Sequence, residues 1–407
     1  MDDFFDDDSF FGGNIDADRD LGEEPKDTQF YSWHRPRKQW IRSKQWWGEI
    51  DLLRKEKDYE GYSSLNMLSL TGGELLDFRY FLSKLQASNI DDECSNYASH
   101  LRLVSFISDS NDFELANKNL PFIGISEDAQ RETIIRPDNL DKVADRGLAY
   151  NNMVKYGPYS VINLDYCSSI APPSPGSRFN SIYQILTAQF NTQSRPWLLM
   201  VTTRTSATSI CGDIANQLFD IVDNNIAESI DFQSEFMDWF SDFLEESNFR
   251  LKYPNEKDEK YSTILALGFI KWMTGIAVET HSFDVKLRSI VRYQIDGEDA
   301  DSDMFSIVIR FKKKYFTDGD PNNLVQAEEE RPADWNEASV ASRFVKKISN
   351  AKKVEEILQQ DREAYYDLSC ELASLLEECG KCTDTFWRNV FRSEVEKLGW
   401  DYESFLG

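Results

Sequence analysis

Between residues 64 and 202, short apolar runs alternate with stretches of helical periodicity, and this alternation constrains the fold more than any other feature of the chain. The runs cover 65–70, 101–107, 133–135, 159–164 and 197–202. The first four stop at or near Thr71-Gly72-Gly73, Asp109, Asp138 and Asp165, and helix-like segments occupy 74–85 and 181–190. Strand–helix alternation predicts a parallel sheet covered by helices, with ligands bound at the carboxyl ends of its strands. Two later runs, 285–295 and 304–316, flank a polar turn at 296–303. In the first of them Val285, Leu287 and Val291 are set against Lys286, Arg288 and Arg292, which predicts an antiparallel pair at a sheet edge, guarded by Lys312-Lys313-Lys314. The fold class expected is α/β: a Rossmann-like sheet of mostly parallel strands with a late antiparallel hairpin, plus a C-terminal helical module.

Charge divides the chain further. Residues 1–28 hold eleven acids against Arg19 and Lys26 and read as an acidic flexible tail, whose Phe4, Phe5, Phe10 and Phe11 could also dock on a basic partner. Residues 29–60 form a basic-aromatic lead-in. From Trp33 to Trp47 there are five basic residues and no acid, with Trp33, Trp40, Trp46 and Trp47 interleaved among Arg35, Arg37, Lys38, Arg42 and Lys44. Two readings of this segment stand: a nucleic-acid or partner contact through Trp33, Arg35, Arg37, Lys38, Trp40, Arg42 and Lys44, or a structural clamp whose cations pair with acids elsewhere. Residues 61–320 are the α/β domain and 321–407 the helical module, joined through a polar linker at 321–336. The stretch 212–249 carries ten acids and no Lys or Arg, on helix-spaced apolar residues.

The whole chain of 407 residues has 45 basic and 71 acidic residues, a net charge of −26, so any nucleic-acid contact must be local. Six scattered Cys and an opening Met1-Asp2-Asp3 suit a reducing cytoplasm better than secretion, and no run reads as a membrane span. Cys379-Gly-Lys-Cys382, with Cys370 upstream, has metal-clip spacing but lacks a second close pair, and no metal site is expected. There is no phosphate-cradling Gly-x4-Gly-Lys loop, nucleophile elbow or His-Glu-x-x-His.

The element order over about residues 60–316 resembles the class I S-adenosylmethionine-dependent methyltransferases. That resemblance implies a Gly-rich turn after the first strand, here Gly72 and Gly73, and an acid on the ribose hydroxyls after the second, here Asp109. It also implies an acid near the adenine after the third, Asp138, and a catalytic or substrate-facing loop after the fourth, beginning at Asp165. The turn departs from the family's acid-x-Gly-x-Gly-x-Gly: Ser69 stands where the acid would be, and Thr71 and Leu75 stand at two glycine positions. A Cβ there obstructs close backbone approach, so the motif reads as degenerate. The expectation is therefore a non-catalytic methyltransferase-like subunit that binds protein partners in a prokaryotic assembly, with antiviral defence a matter of association only. Its cofactor would be none or S-adenosylmethionine. The rivals are an active methyltransferase on nucleic acid or protein and a nucleic-acid-binding adaptor working through residues 33–47.

Overall fold

The computed structural model describes residues 27–88, 97–123, 132–173, 178–255, 260–295, 304–316, 332 and 335–405. Nearly all of the acidic tail, most of the 321–336 linker and the 296–303 turn lie outside the described residues.

The lead-in is one continuous helical rod: α1 (Pro36–Trp40), a π-helical turn (Ile41–Trp46) and α2 (Trp47–Arg54). Pro36 starts it, at the position where a missing N–H costs nothing. The α/β order then follows as β1 (Ser64–Ser69), α3 (Leu76–Ser88), β2 (His100–Phe106), α4 (Ser110–Asn119), β3 (Ile134–Arg136), α5 (Leu148–Tyr156), β4 (Val161–Asp165), α6 (Arg178–Thr192) and β5 (Trp197–Arg204). Helices α7 (Gly212–Glu228), α8 (Ile230–Phe240) and α9 (Tyr261–Gly275) lead to the hairpin β6 (Phe283–Tyr293) and β7 (Met304–Lys313). Then come α10 (Glu337–Ser349), β8 (Lys352–Lys353), α11 (Val354–Gln359), α12 (Arg362–Glu378) and α13 (Arg392–Lys397).

The sheet has eight strands in the order β3-β2-β1-β4-β5-β7-β6-β8. Strands β3, β2, β1, β4 and β5 are mutually parallel, and β7 enters antiparallel to both β5 and β6. The order reverses between β1 and β4, so the crevice for a ligand opens there, outside the strands' carboxyl ends. Five parallel strands completed by an antiparallel hairpin make this a methyltransferase-like Rossmann fold.

The hairpin differs from expectation in one respect. It does not form an edge: β7 is inserted between β5 and β6, and Lys352 and Lys353 pair beyond β6. Of the lysines expected to guard an edge, Lys312 instead pairs with Asp58 of the lead-in at 3.0 Å and Lys313 donates to the His281 carbonyl at 2.6 Å, while Arg288–Glu49 at 2.7 Å and the Arg310–Glu56 pair also tie the hairpin to the lead-in. The β6 register slips at Arg288, between Leu287 and Ser289.

Two hydrophobic cores cover the two faces. One gathers Ile182, Phe190, Leu218, Phe269 and Phe344 from α6, α7, α9 and α10. The other joins Ile41 and Trp46 of the lead-in to Phe78 and Phe81 of α3 and to Tyr365 and Leu372 of α12. The C-terminal helices therefore divide between the faces: α10 packs with α8 and α9, while α11 to α13 pack with the lead-in. A π-helical turn, Ile276–Thr280, continues α9 to Thr280. Tyr261–Thr280 has the length and composition of a membrane span, yet 83% of that apolar window is buried inside the protein.

Helix α9 crosses α7 closely at Gly268, where a Cβ would come within 2.6 Å of the Leu218 carbonyl oxygen. Gly268→Ala is expected to lose about 1–3 kcal/mol of stability by urea unfolding. Gly48→Ala, at a helical site where a Cβ meets nothing within 4 Å, is the control and should be neutral or stabilising.

Candidate functional site

A cavity of about 350 Å³ opens at the switch point. That lies within the range of small-molecule sites. Its walls come from the β1 turn (Leu70 to Gly72 and Glu74 to Asp77), the β2 end (Phe106 to Asp109, with Asp112), the β3 loop (Asn139 and Asp141), the β4 loop (Asp165 to Ser168), Arg178, and Trp33 and Arg42 of the lead-in.

The β1 turn is built without the expected glycines. Leu75 adopts φ 54°, the left-handed region that a glycine would take without strain. Gly72 lines the cavity, and nothing lies within 4 Å of where its Cβ would be. Gly73 does not line it. A Cβ there would meet Leu115 Cδ2 at 2.9 Å and the Asp112 carbonyl oxygen at 3.0 Å, so this glycine serves the packing of α4 against the turn.

Asp109 lies at the cavity rim and caps α4, its Oδ1 accepting from the amides of Asn111 (2.9 Å) and Asp112 (3.0 Å). Those bonds fix the carboxylate while Oδ2 faces no cation or donor among the described residues. Beside it, burial and the neighbouring Asp109 and Glu74 push the Asp112 carboxyl up. Asp138 is not in the wall: it pairs with Lys142 at 2.8 Å on the surface, and the same loop offers Asn139 and Asp141 instead. Asp141 is held by Arg178 at 3.2 Å, whose guanidinium lies over the Tyr166 ring at 4.4 Å.

Asp165 ends β4 and does line the cavity, but Lys38 Nζ sits 2.6 Å from its Oδ1, and the Thr202 hydroxyl donates to the same oxygen at 2.6 Å. Burial works against the Lys38 ammonium, but Asp165, Tyr293 and Asp77 outweigh it and hold its pKa above the ordinary lysine value. The ammonium also lies 4.5 Å from the Trp46 ring centre. Next in the loop, burial and then Asp165 push the Cys167 thiol up to about 11, so it is not a thiolate nucleophile at neutral pH.

Most of the lead-in's cations are spent in the same way. Arg42, 1% exposed, meets Asp77 at 2.6 Å. Arg35 and Arg37 pair with Glu394 at 3.1 and 3.4 Å, and Arg37 also reaches Glu355 at 3.6 Å. Trp33 and Trp40 are half-buried, and of the seven residues singled out in this segment only Lys44 is exposed. Arg37, Lys38 and Arg42 are thus internal structural cations, not phosphate contacts, because their charges already face buried carboxylates.

Glu74, which the sequence did not single out, ties the cavity to both ends of the chain. Its Oε2 accepts from Trp33 Nε1 (3.3 Å) and meets His34 Nε2 (3.0 Å), while Lys381 Nζ is 3.0 Å from Oε1. Lys381 also pairs with Asp27. The Tyr31 amide donates to His34 Nδ1 at 3.1 Å, so the ring proton is on Nε2 and points at Glu74. Burial, opposed by Glu74, keeps the His34 pKa below its ordinary value, which leaves the ring neutral at pH 7. Burial would raise the Glu74 pKa, but His34 and Lys381 prevail and hold it down to about 2. Among the described residues no group of three or more His, Cys, Asp or Glu could hold a metal ion, and Cys370, Cys379 and Cys382 form no such cluster.

Residues 27–390 match the family described as PP_RS20740-like. No curated protein matches. Among solved structures, an rRNA methylase from Streptococcus thermophilus aligns at 10% identity over 65% of this chain and 96% of its own, with a TM-score of 0.29. The methyltransferase domain of bacterial CtHen1-C aligns at 11% identity over 67% of this chain and 100% of its own, with a TM-score of 0.32. The plantazolicin methyltransferase BamL, solved with S-adenosylhomocysteine, aligns at 10% identity over 68% and 89%, with a TM-score of 0.31.

Two outcomes test this geometry. Lys38→Met strands the Asp165 carboxylate, 12% exposed, without its cation, and should cost about 3–5 kcal/mol in urea unfolding. Adding Asp165→Asn should restore a large part of that, a coupling that a double-mutant cycle reads directly. Glu74 has a folded pKa below its unfolded value, so its contribution is present above pH 4.5 and is lost as pH falls toward 2. The stability difference between wild type and Glu74→Gln, on the order of 2–3 kcal/mol at pH 6, should therefore shrink across that window.

Proposed function

The chain belongs to the PP_RS20740-like family, and we propose that it is a methyltransferase-like protein that binds S-adenosylmethionine without transferring its methyl group. In this reading the cavity is the cofactor site and the lead-in fills the acceptor side. The observation that carries it is that the Asp165 carboxylate, in the cavity wall, is already paired with the buried Lys38.

The cavity has the parts a nucleoside ligand needs. Asp109 Oδ2, held in place by the capping bonds of Oδ1, is an acceptor for ribose hydroxyls at the end of β2. Asn139 and Asp141 offer amide and carboxylate partners for a purine edge. When bound, the cofactor supplies an electrophilic methyl on a sulfonium. Transfer then needs a nucleophile on the far side of that methyl, with a group to orient it and accept its proton. At the end of β4 the group for that role is the Asp165 carboxylate, and it is already engaged by Lys38 and the Thr202 hydroxyl. The ammonium is no nucleophile itself, because Asp165 keeps it protonated at any physiological pH. In a role within a larger assembly, the acid-rich faces of α7 and α8 would meet a basic partner, since 212–249 holds no Lys or Arg.

Titration calorimetry of the full chain with S-adenosylmethionine should show micromolar binding, and Asp109→Ala should weaken it at least about tenfold, the worth of roughly one charge-assisted hydrogen bond. No heat and no thermal shift at millimolar ligand would overturn the cofactor reading. Catalytic release of S-adenosylhomocysteine on incubation with mixed RNA and protein acceptors would overturn the non-transferring half.

A further inference from the structure

We infer that Trp33 makes the cavity discriminate the charge on the ligand's sulfur, so that the chain binds the sulfonium S-adenosylmethionine in preference to the neutral thioether S-adenosylhomocysteine. This rests on the reading of the cavity as a cofactor site and goes beyond it by naming which state of the cofactor is held.

The placement follows from the walls. With the ribose on Asp109 and the purine toward Asn139 and Asp141, the amino-acid arm must run back over the β1 turn toward the β4 loop. The wall there is Trp33, Arg42, Glu74, Asp77 and Asp165. Each of its three carboxylates already has a cation of the chain's own: Lys381 on Glu74, Arg42 on Asp77 and Lys38 on Asp165. None of the three is free to pair with an incoming sulfonium. Of the neutral aromatic rings beside this wall, Tyr166 already carries the Arg178 guanidinium at 4.4 Å, which leaves the indole of Trp33 to attract a cation.

A sulfonium is large and weakly hydrated, which suits the negative face of an aromatic ring better than a hydrated ammonium does. Trp33 is also fixed before any ligand arrives. Its Nε1 donates to Glu74 at 3.3 Å, its ring stacks on Tyr31 with centroids 4.6 Å apart at 16°, and His34 abuts it edge-on at 5.7 Å. A preorganised ring loses little entropy on binding, so the attraction appears in the affinity. Loss of the methyl group converts the cation to a thioether and removes the attraction, while the adenosine contacts stay the same. The consequence is a protein that reports the methylated cofactor rather than the spent one.

The test is calorimetry on the full chain with three ligands: S-adenosylmethionine, S-adenosylhomocysteine, and sinefungin, whose cationic amine replaces the sulfonium. The expected result is that both cationic ligands bind at least about tenfold tighter than the thioether. In Trp33→Leu the ratio of S-adenosylmethionine to S-adenosylhomocysteine affinity should fall to near one, whatever the absolute affinities become. Trp33→Phe, which keeps an aromatic face, should retain most of the ratio and guards against a loss caused by misfolding. Equal affinity of the wild type for methylated and demethylated cofactor, or a ratio that survives Trp33→Leu, would overturn the inference. If no ligand binds the wild type, the cofactor reading falls and the discrimination falls with it, an outcome distinct from binding without preference.

Discussion

The structure depends on pairs between buried cations of the lead-in and carboxylates at the carboxyl edge of the sheet. Lys38 on Asp165 and Arg42 on Asp77 are both nearly solvent-free, and the Glu74 carboxylate is shared among Trp33, His34 and Lys381. Such pairs are poor sources of net stability, because each ion gives up its hydration to form them. Their force is in specificity. With Asp77 and Asp165 buried, no other placement of the 33–47 segment would neutralise both, so the lead-in has one place to go. The same segment then sets the shape of the cavity, through Trp33 and Arg42 in its wall.

This arrangement also accounts for a basic segment in a chain of net charge −26. The cations are turned inward and matched by carboxylates buried with them, so the net negative charge stays on the outer surface. Arg35 and Arg37 reach Glu394 near the far end of the chain, and Lys381 reaches back to Asp27, so the two ends close over the sheet edge as one clamp. The apolar side of that clamp is continuous as well: Ile41 and Trp46 share a core with Tyr365, Leu372 and Phe386.

Much of the fold was legible because it rests on local periodicity. Strands β1 to β7 fall within a residue or two of their apolar runs except at the end of the hairpin, where β7 stops at Lys313. What periodicity cannot carry is lateral order: nothing in residues 283–313 says that β7 will slot between β5 and β6, since both faces and both edges of β7 are satisfied only in the assembled sheet. The site was legible where a strand end fixes a residue's position, as at Gly72, Asp109 and Asp165. It was hidden where the cavity draws on residues remote in sequence. Trp33 and Arg42 come from the lead-in, and Glu74 and Asp77 look like ordinary first-turn acids of a helix until their cations are in place. Asp138 was misplaced by three residues of irregular loop, where Asn139 and Asp141 turn inward and Asp138 turns to Lys142. The choice between phosphate contact and clamp at 33–47 lay beyond composition, because it is decided by which acids fold against those cations.

The most direct test of the account is a crystal structure of the full chain grown with millimolar S-adenosylmethionine. The account predicts ligand density between β1, β2 and β4, with the ribose hydroxyls on the Asp109 carboxylate and Lys38 still on Asp165. An empty cavity, or a ligand that displaces Lys38 and leaves Asp165 facing the methyl group, would contradict it.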